Sequence, residues 1–335
     1  MPGESSQQAE RPTVSAVIIT RNRRDALGIV LDRLASLPVD EVVVVDNGSD
    51  DDTREVVRGR NGNVLLLEPG ENTGIAGRNL GAARSTGEFV LQLDDDAYPL
   101  PGALEAMLEA FRREPRLGVA AGFVRDVDGE GNVVKQTELG TFDWWLRAGQ
   151  AGEPAEGLPA FFFPEGASLF RRDAYFDAGG FFEPYFYLSS EVDFAARLLE
   201  KGWDVRYVPT AAFDHMKAPG GRSHYNALYY RIRNHLWFLW LRFPAPVAAL
   251  RTVGYLTFDL IEATYLRAPK AWLHAVRDAW RQRHLVRGFR RPLPRHVRRR
   301  TELNRGRMHV RWLAGQLRRR LSVARRPRHR HDHRD

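Results

Sequence analysis

Gly87-Glu-Phe-Val-Leu-Gln-Leu-Asp-Asp-Asp-Ala-Tyr-Pro99 combines a buried-strand pattern with three adjacent carboxylates. The mostly apolar run from Phe89 to Leu93, bounded by glycine and proline, is typical of a strand inside a parallel sheet. Burying clustered negative charge is costly unless a cation lies nearby. In an extended chain Asp94 and Asp96 point to the same side. The stretch therefore indicates either a site for a hard divalent cation at a strand end or a solvated acidic turn.

The composition excludes several classes of site. The 335 residues suffice for one large or two small domains, and 43% of them are hydrophobic. The chain contains no cysteine, so disulfides, thiolate zinc sites and a cysteine nucleophile are excluded. Residues 1–12 are polar and are expected to be disordered. Because no apolar signal-peptide segment is visible, the expected location is cytoplasmic.

The net charge of +8 is concentrated at one end of the chain. Residues 281–335 contain 20 arginines and three acidic residues, so the rest of the chain is acidic overall. This basic tail could bind an anionic membrane surface, an acidic partner or nucleic acid, or could be a solvated end. A specific nucleic-acid role is not expected, because no recognition fold is visible.

Strand-like and helix-like segments alternate from residue 14 onward. The predicted strands are Val14–Thr20, Glu41–Val45 and Asn63–Glu68, and the predicted helices are Asp25–Leu37, 50–59 and 72–85. This alternation predicts an α/β fold with a mostly parallel, doubly wound sheet. Neither G-x-G-x-x-G nor G-x-x-x-x-G-K-[ST] is present, so the common dinucleotide and P-loop signatures are absent.

Polar residues follow several of these strands directly: Thr20 and Arg21, then Asp46, then Asp94 to Asp96. Ligands of open α/β sheets bind at the carboxyl ends of strands. There an aspartate could accept a hydrogen bond from a nucleotide base, and arginines could form ion pairs with a diphosphate. Each residue alone could serve a turn, as Asn-Gly-Ser after Asp46 does. Their coincidence on three strands favours a nucleotide site.

The second half of the chain adds a possible general base. A helix is predicted from Ser189 or Ser190 to Lys201, which places Glu191 and Asp193 in its first turn. The helix dipole favours carboxylates there, but one of them could also act as a general base. A strand is predicted from Trp203 to Pro209, and His215 soon after it is a candidate metal ligand.

The segment from Arg231 to Leu266 is apolar and rich in aromatic residues, but prolines and charges interrupt it. It has no run of 18 apolar residues, so a membrane-spanning helix is not expected. Its helices could lie in a membrane interface, pack on the preceding domain or form a homo-oligomer. The aromatic stretch 137–163, with Trp144 and Trp145, could line an acceptor site or belong to the core.

Six motifs, in this order, resemble the family 2 nucleotide-sugar glycosyltransferases, which have the GT-A fold. They are V-S-A-V-I-I-T-R-N-R (14–23), V-V-V-V-D-N-G-S (42–49), N-T-G-I-A-G-R-N (72–79), L-D-D-D (93–96), E-V-D-F-A-A-R with G-W-D-V-R-Y-V-P (191–197, 202–209), and His215. The resemblance covers about residues 13–240. The expected organisation is a disordered N-terminus (1–12), a GT-A catalytic domain (13–230) with nucleotide-binding (13–100) and acceptor (101–230) halves, an amphipathic helical extension (231–290), and a basic Arg-rich tail (291–335).

The resemblance also implies roles for single residues. Thr20, Arg21 and Asp46 would hold the nucleotide, Arg78 would lie near its phosphates, and Asp94 and Asp95 would contact the donor. Asp94 and Asp96 form a D-x-D motif which, with His215, would bind Mg²⁺ or Mn²⁺. Glu191 matches the general base. Asp193 is the alternative base, because Ser190 replaces an acidic residue that many members carry before this position.

The implied reaction is inverting, metal-dependent transfer of a hexosyl or deoxyhexosyl group from a nucleotide-diphosphate sugar. The acceptor would be a lipid-linked sugar, a polysaccharide or a small molecule, as in cell-envelope polysaccharide biosynthesis, with the protein peripheral on the cytoplasmic face of the membrane. A non-catalytic binding protein of the same fold is one alternative. A sugar nucleotidyltransferase is another, but Thr20 to Asp25 lacks the glycine-rich loop typical of that class.

Overall fold

The computed structural model describes residues 11–136, 157–216 and 224–299, and within them one sheet of ten strands forms the centre of the protein. The strands are β1 (Val14–Thr20), β2 (Glu41–Asp46), β3 (Val64–Leu67), β4 (Phe89–Asp94), β5 (Ala97–Pro99), β6 (Leu117–Val127), β7 (Val133–Gln136), β8 (Leu158–Pro159), β9 (Ala167–Arg171) and β10 (Asp204–Met216). Their order is β3-β2-β1-β4-β9-β6-β10-β5, with β7 beside β6 and β8 beside β10.

The sheet is mostly parallel, as predicted. β1 pairs in parallel with β2 and β4, β2 with β3, and β6 with β10. The antiparallel pairs involve fewer residues in total, and β9 lies antiparallel between β4 and β6. Sequence reasoning missed β6, because its glycines and alanines have low strand propensity. Tertiary packing requires them: a Cβ on Gly122 would lie 2.4 Å from the Phe213 ring.

Helices cover both faces of the sheet. They are α1 (Arg24–Leu34), α2 (Thr53–Arg58), α3 (Ala76–Arg84), α4 (Ala103–Arg113), α5 (Arg172–Asp177), α6 (Ser190–Lys201), α7 (His224–Arg242), α8 (Ala245–Tyr265) and α9 (Pro269–Arg281). Val17 and Val90 point into one core and their neighbours Ile18 and Leu91 into the other. Burial on both faces explains why β1 and β4 are continuous apolar runs rather than alternating ones.

Strand β10 is longer than predicted, and it carries His215. The prediction ended this strand at Pro209, because proline cannot donate a ladder hydrogen bond. The strand instead continues to Met216, with a register shift between Val208 and Ala212 that accommodates the proline. His215 therefore lies inside β10, paired with β5 on one side and β6 on the other.

The predicted start of the C-terminal extension falls inside a helix. The predicted boundary between residues 230 and 231 lies inside α7, which runs unbroken from His224 to Arg242. Trp237 of α7 belongs to the same buried core as Phe194 of α6, so the extension packs directly on the sheet domain. Among the described helices, none is long and apolar enough to span a bilayer. The predictions for residues 1–10, Trp144, Trp145 and residues 300–335 lie outside the described residues.

Candidate active site

A cleft of about 760 Å³ opens at the carboxyl edge of the parallel strands. Its floor comes from the ends of β1 and β4, and its walls come from residues 162–165, from the segment before α6, and from α7. Most of the predicted site residues open into this one cavity: Thr20, Arg21, Arg78, Asp94, Asp95, Asp96 and Glu191.

Asp94, Asp96 and His215 form a set of potential metal ligands. Each can offer one ligand atom, and these atoms lie within 4.8 Å of one another. His215 Nε2 is 3.3 Å from Asp96 Oδ1, and its Nδ1 is 2.8 Å from Asp126 Oδ1. A second carboxylate of this kind orients the ring of many metal-binding histidines. Two carboxylates and an imidazole fit Mg²⁺ or Mn²⁺ and leave positions for phosphate oxygens. Sequence reasoning missed Asp126.

Negative charge is concentrated around these ligands. Desolvation, reinforced by the charge of Asp96, raises the pKa of Asp95 to about 7. Thr20 Oγ1 donates a hydrogen bond of 2.9 Å to Asp95. A hydrogen bond with Asp96, opposed by burial, raises the pKa of His215 to about 9. Arg23, whose Nη2 lies 3.6 Å from Asp96, offsets part of this negative charge.

Arg78 and Gly166 hold the Asp94 carboxylate from two sides. The Arg78 guanidinium is buried, donates to the Leu93 carbonyl at 3.0 Å and also forms an ion pair with Asp94. Gly166 packs so closely that a Cβ there would lie 2.3 Å from Asp94 Cγ. Arg78 thus lines the cleft and holds the carboxylate of Asp94, a potential metal ligand.

Gly166→Ala is expected to weaken Mn²⁺ binding by about tenfold or more while the protein stays folded, because the new methyl group must displace the Asp94 carboxylate. Isothermal titration with Mn²⁺ measures this affinity. Gly129→Ala is the matched control, since a Cβ at Gly129 meets no heavy atom within 4 Å. Unchanged Mn²⁺ affinity in Gly166→Ala would show that Asp94 is not a ligand.

Asp46 is buried beside the cleft rather than lining it. Its carboxylate accepts from the Ser49 N–H at 3.1 Å and lies 3.8 Å from Arg54. The next residue, Asn47, lines the cleft and accepts from Thr73 Oγ1 at 2.7 Å. The polar end of β2 therefore reaches the cleft through Asn47, and Asp46 shapes the turn that presents it.

Glu191 lies in the first turn of α6 and faces the cleft. Three non-glycine residues before it have positive φ angles, Phe186 (63°), Leu188 (56°) and Ser189 (60°). A left-handed conformation costs about 1–2 kcal/mol for each such residue, so the surrounding structure must stabilise this segment. Ser190, where many family members have an acidic residue, donates to the carboxylate of Glu165, which also lines the cleft.

Asp193 faces away from the cleft. Its carboxylate is fully buried and forms ion pairs with Arg242 of α7 and, at 2.9 Å, with Arg197. Burial opposes ionisation, but the two guanidinium groups outweigh it and lower the pKa of Asp193. Residues two apart on a helix point in different directions, so only Glu191 of the two faces the cleft. The geometry does not support Asp193 as the base.

Asp193→Asn is expected to destabilise the fold by about 3–5 kcal/mol, because Arg242 loses its buried partner. Urea unfolding measures the effect, and Asp177→Asn, which breaks an exposed pair with Lys201, should cost less than about 1 kcal/mol. Because the folded-state pKa of Asp193 is lowered, its contribution is present above the unfolded pKa of about 4 and is lost as the pH falls below it. An Asp193→Asn variant as stable as the wild type would contradict this role.

Sequence reasoning did not assign the aromatic and helical wall of the cleft. Phe186 stacks on Tyr230 of α7, and Tyr187 contacts the same ring edge-on. Asn226 and Arg231 of α7 also line the cleft. No local motif marks these residues, because they reach the site only through the packing of α7 against the segment before α6.

Comparison with known proteins shows which sequences this chain is similar to. The profile of the glycosyl transferase family 2 matches residues 15–177. The N-acetylglucosaminyl-diphospho-decaprenol L-rhamnosyltransferase of Mycobacterium tuberculosis is 32% identical over 206 residues, covering 53% of this chain and 66% of the relative. The alignment thus spans about two thirds of that relative's length.

Solved structures share the fold at low identity. Staphylococcus aureus TarS 1-349 in complex with UDP-GlcNAc has a TM-score of 0.57 at 18% identity and covers 89% of this chain and 88% of its own. GalNAc-T7 with UDP, GalNAc and Mn²⁺ also has a TM-score of 0.57, at 15% identity, and covers 70% of this chain and 49% of its own. These structures show the fold, and the family profile with the rhamnosyltransferase relative shows that the chain belongs to glycosyl transferase family 2.

Proposed function

We propose that this protein transfers a sugar from a nucleotide-diphosphate donor to an acceptor hydroxyl with inversion of the anomeric configuration. One observation carries the proposal: Glu191 and the carboxylates Asp94 and Asp96 line the same cleft at the carboxyl edge of the sheet. The arrangement would supply a base together with carboxylate ligands for a divalent cation, and a single displacement on a sugar diphosphate can use both.

The donor would lie along the strand ends. Thr20, Arg21 and Asn47 line the part of the cleft that would hold the nucleoside, with Arg78 and Asp95 close to the diphosphate. Asp94, Asp96 and His215 would hold Mg²⁺ or Mn²⁺, and the ion would supply positive charge that stabilises the leaving nucleoside diphosphate.

The chemistry follows from the position of Glu191. Its carboxylate accepts the proton of the acceptor hydroxyl as that oxygen forms a bond to the anomeric carbon. The bond from the anomeric carbon to the donor phosphate breaks on the opposite side, and the nucleoside diphosphate leaves with the electron pair. The products are the glycosylated acceptor, the nucleoside diphosphate and one proton.

The test is the anomeric configuration of the product. Purified protein is incubated with nucleotide sugars, a sugar acceptor and Mg²⁺ or Mn²⁺, and proton NMR follows the anomeric coupling. Inversion relative to the donor, dependent on added metal, supports the proposal. A product that retains the donor configuration would overturn the single-displacement mechanism.

For the acceptor we propose a lipid-linked sugar. The M. tuberculosis relative acts, by its name, on N-acetylglucosaminyl-diphospho-decaprenol. In this chain the acceptor side of the cleft is lined by Phe162, Phe186 and Tyr230, and aromatic faces of this kind pack against sugar rings.

The outward face of α8 supports membrane association of the protein. Leu250, Val253 and Ile261 are 75%, 66% and 51% exposed. The three charged residues of the helix, Arg251, Asp259 and Glu262, are all at least partly buried. An exposed helix face without charges suits a membrane interface, and the basic residues from 281 onward would favour an anionic one. We therefore propose peripheral binding to the cytoplasmic face of a membrane.

Leu250→Glu combined with Val253→Glu is expected to reduce binding to vesicles containing anionic lipid by about tenfold or more, because each change removes apolar burial and adds repulsion. Vesicle co-sedimentation measures the binding. Glu105→Gln, an exposed change on α4, is the control and should bind as the wild type does. Equal vesicle binding by the double variant and the wild type would exclude this face as the contact.

A further inference from the structure

The strained segment before Glu191 is held by the Ile75 N–H, which donates to the Phe186 carbonyl at 2.8 Å, and by two side chains of the C-terminal extension, Arg233 and Asn234. Asn234 of α7 is completely buried, and its Nδ2 lies 3.0, 2.7 and 2.7 Å from the carbonyl oxygens of Tyr185, Tyr187 and Leu188. Backbone carbonyls from three residues within a four-residue stretch thus converge on one amide group.

The neighbouring residue Arg233 fixes the orientation of that amide. Its Nε and Nη2 donate to Asn234 Oδ1 at 3.0 and 2.9 Å, so the NH₂ group must face the segment. Nη2 of Arg233 also donates to the Tyr185 carbonyl at 2.7 Å. The guanidinium in turn lies over the Trp237 ring, with Cζ 4.5 Å from the ring centroid. The pair therefore forms a preorganised clamp built on α7.

Helix α6 has no local device that could replace this clamp. Its N-cap residue, Ser189, has φ of 60° and makes no side-chain capping hydrogen bond. Positive φ angles at Phe186 and Leu188 are unfavourable in the absence of outside contacts. The start of α6, and with it the direction of Glu191, consequently depends on hydrogen bonds from a helix more than 40 residues further along the chain.

We propose that Asn234 is a positioning residue for Glu191: it holds the segment 185–188 so that the Glu191 carboxylate faces the acceptor hydroxyl. This inference rests on the proposed function of Glu191 as the base. It assigns a role in turnover to the extension, which does not contain any of the proposed reacting groups. A general base misplaced by about 1 Å can lower the rate about a hundredfold. Loosening the segment should therefore lower kcat more than it changes the affinity for the donor.

The experiment compares Asn234→Ala with Trp272→Phe, alone and in the Glu191→Gln background. Trp272 Nε1 donates to the Leu256 carbonyl at 3.0 Å, so its loss removes a hydrogen bond inside the extension without touching the segment. The measurements are kcat and KM for the donor, the melting temperature, and hydrogen exchange of amides 185–191. If Asn234→Ala does not fold, Asn234→Ser, which keeps a hydroxyl donor, takes its place.

We expect Asn234→Ala to lower kcat by about 10- to 100-fold, with the donor KM within about threefold of the wild type. Trp272→Phe should keep kcat within about twofold. Since Asn234 would act through Glu191, the loss should disappear in the Glu191→Gln background, as expected for residues that act as one unit. Exchange of amides 185–191 should accelerate in Asn234→Ala and stay unchanged in Trp272→Phe.

Two results would overturn the inference. One is a kcat for Asn234→Ala within twofold of the wild type. The other is an equal loss in the wild-type and Glu191→Gln backgrounds, which would indicate a general structural role. Failure of the proposed function would look different, since Glu191→Gln alone would then retain transfer. If the wild type transferred no sugar at all, unchanged exchange of amides 185–191 in Asn234→Ala would still rule out the clamp.

Discussion

Glu191→Gln is expected to lower kcat for sugar transfer by about 10²- to 10⁴-fold, the range typical for loss of a general base. The amide keeps the shape of the side chain but cannot take the acceptor proton. Donor affinity should change by less than about threefold, because Glu191 is not among the residues proposed to hold the nucleotide or the metal ion. Initial rates at saturating donor and titration with the nucleoside diphosphate separate the two effects.

The control for this substitution is Glu105→Gln, the same chemical change at an exposed position of α4. It should retain full activity. If Glu191→Gln kept a kcat near that of the wild type, the base would have to be sought elsewhere in the cleft, and Glu165, hydrogen-bonded by Ser190, would be the next residue to change.

Asp96→Asn is expected to abolish the metal-dependent part of donor binding and to lower transfer by about 10³-fold, corresponding to the several kcal/mol that a bound divalent ion supplies in such reactions. Asp96 is 5% exposed, contacts His215, and has Arg23 nearby. Its carboxylate therefore has a fixed direction toward the other ligands. Replacing one oxygen by an amide nitrogen removes a ligand atom while the side-chain volume stays the same.

A thermal-shift experiment measures this loss without any turnover. A nucleotide sugar with Mn²⁺ should raise the melting temperature of the wild type by roughly 5 °C at a large excess over its Kd, through mass action on the folded state. The rise should vanish with EDTA and in Asp96→Asn, and should persist in Asp204→Asn, a change at an exposed position of β10. A metal-dependent shift that survives in Asp96→Asn would exclude Asp96 as a ligand.

The fold was largely predictable from the sequence because its first half is built from local signals. Buried strands such as Val14–Thr20 are continuous apolar runs, and polar residues mark where they end. The helix and strand limits shifted by a few residues, which is the usual uncertainty at element ends. Strand β9 was missed because its place between β4 and β6 depends on pairing with strands far away in the sequence.

The candidate site was predictable in part. Alternation along an extended chain predicted Asp94 and Asp96 on one side, two positions apart in the sequence. In the structure β4 ends at Asp94, and Asp96 lies in the turn before β5. Other features of the site depend on how the strands pack. These are the convergence of His215 with the two aspartates, its hydrogen bond with Asp126, and the close contact of Gly166 with Asp94. No pattern in the sequence marks contacts of this kind.

The sequence by itself determined the α/β architecture, the acidic strand end and the short list of candidate bases, because each follows from periodicity or spacing within a few residues. Only the tertiary structure distinguished Glu191 from Asp193. Arg242, 49 residues away, forms a buried ion pair with Asp193. Asn234 donates hydrogen bonds to the segment that precedes Glu191. The physical reason is that the environment of a side chain is set by the elements that pack against it. Here that element is α7, which follows α6 in the chain only after β10.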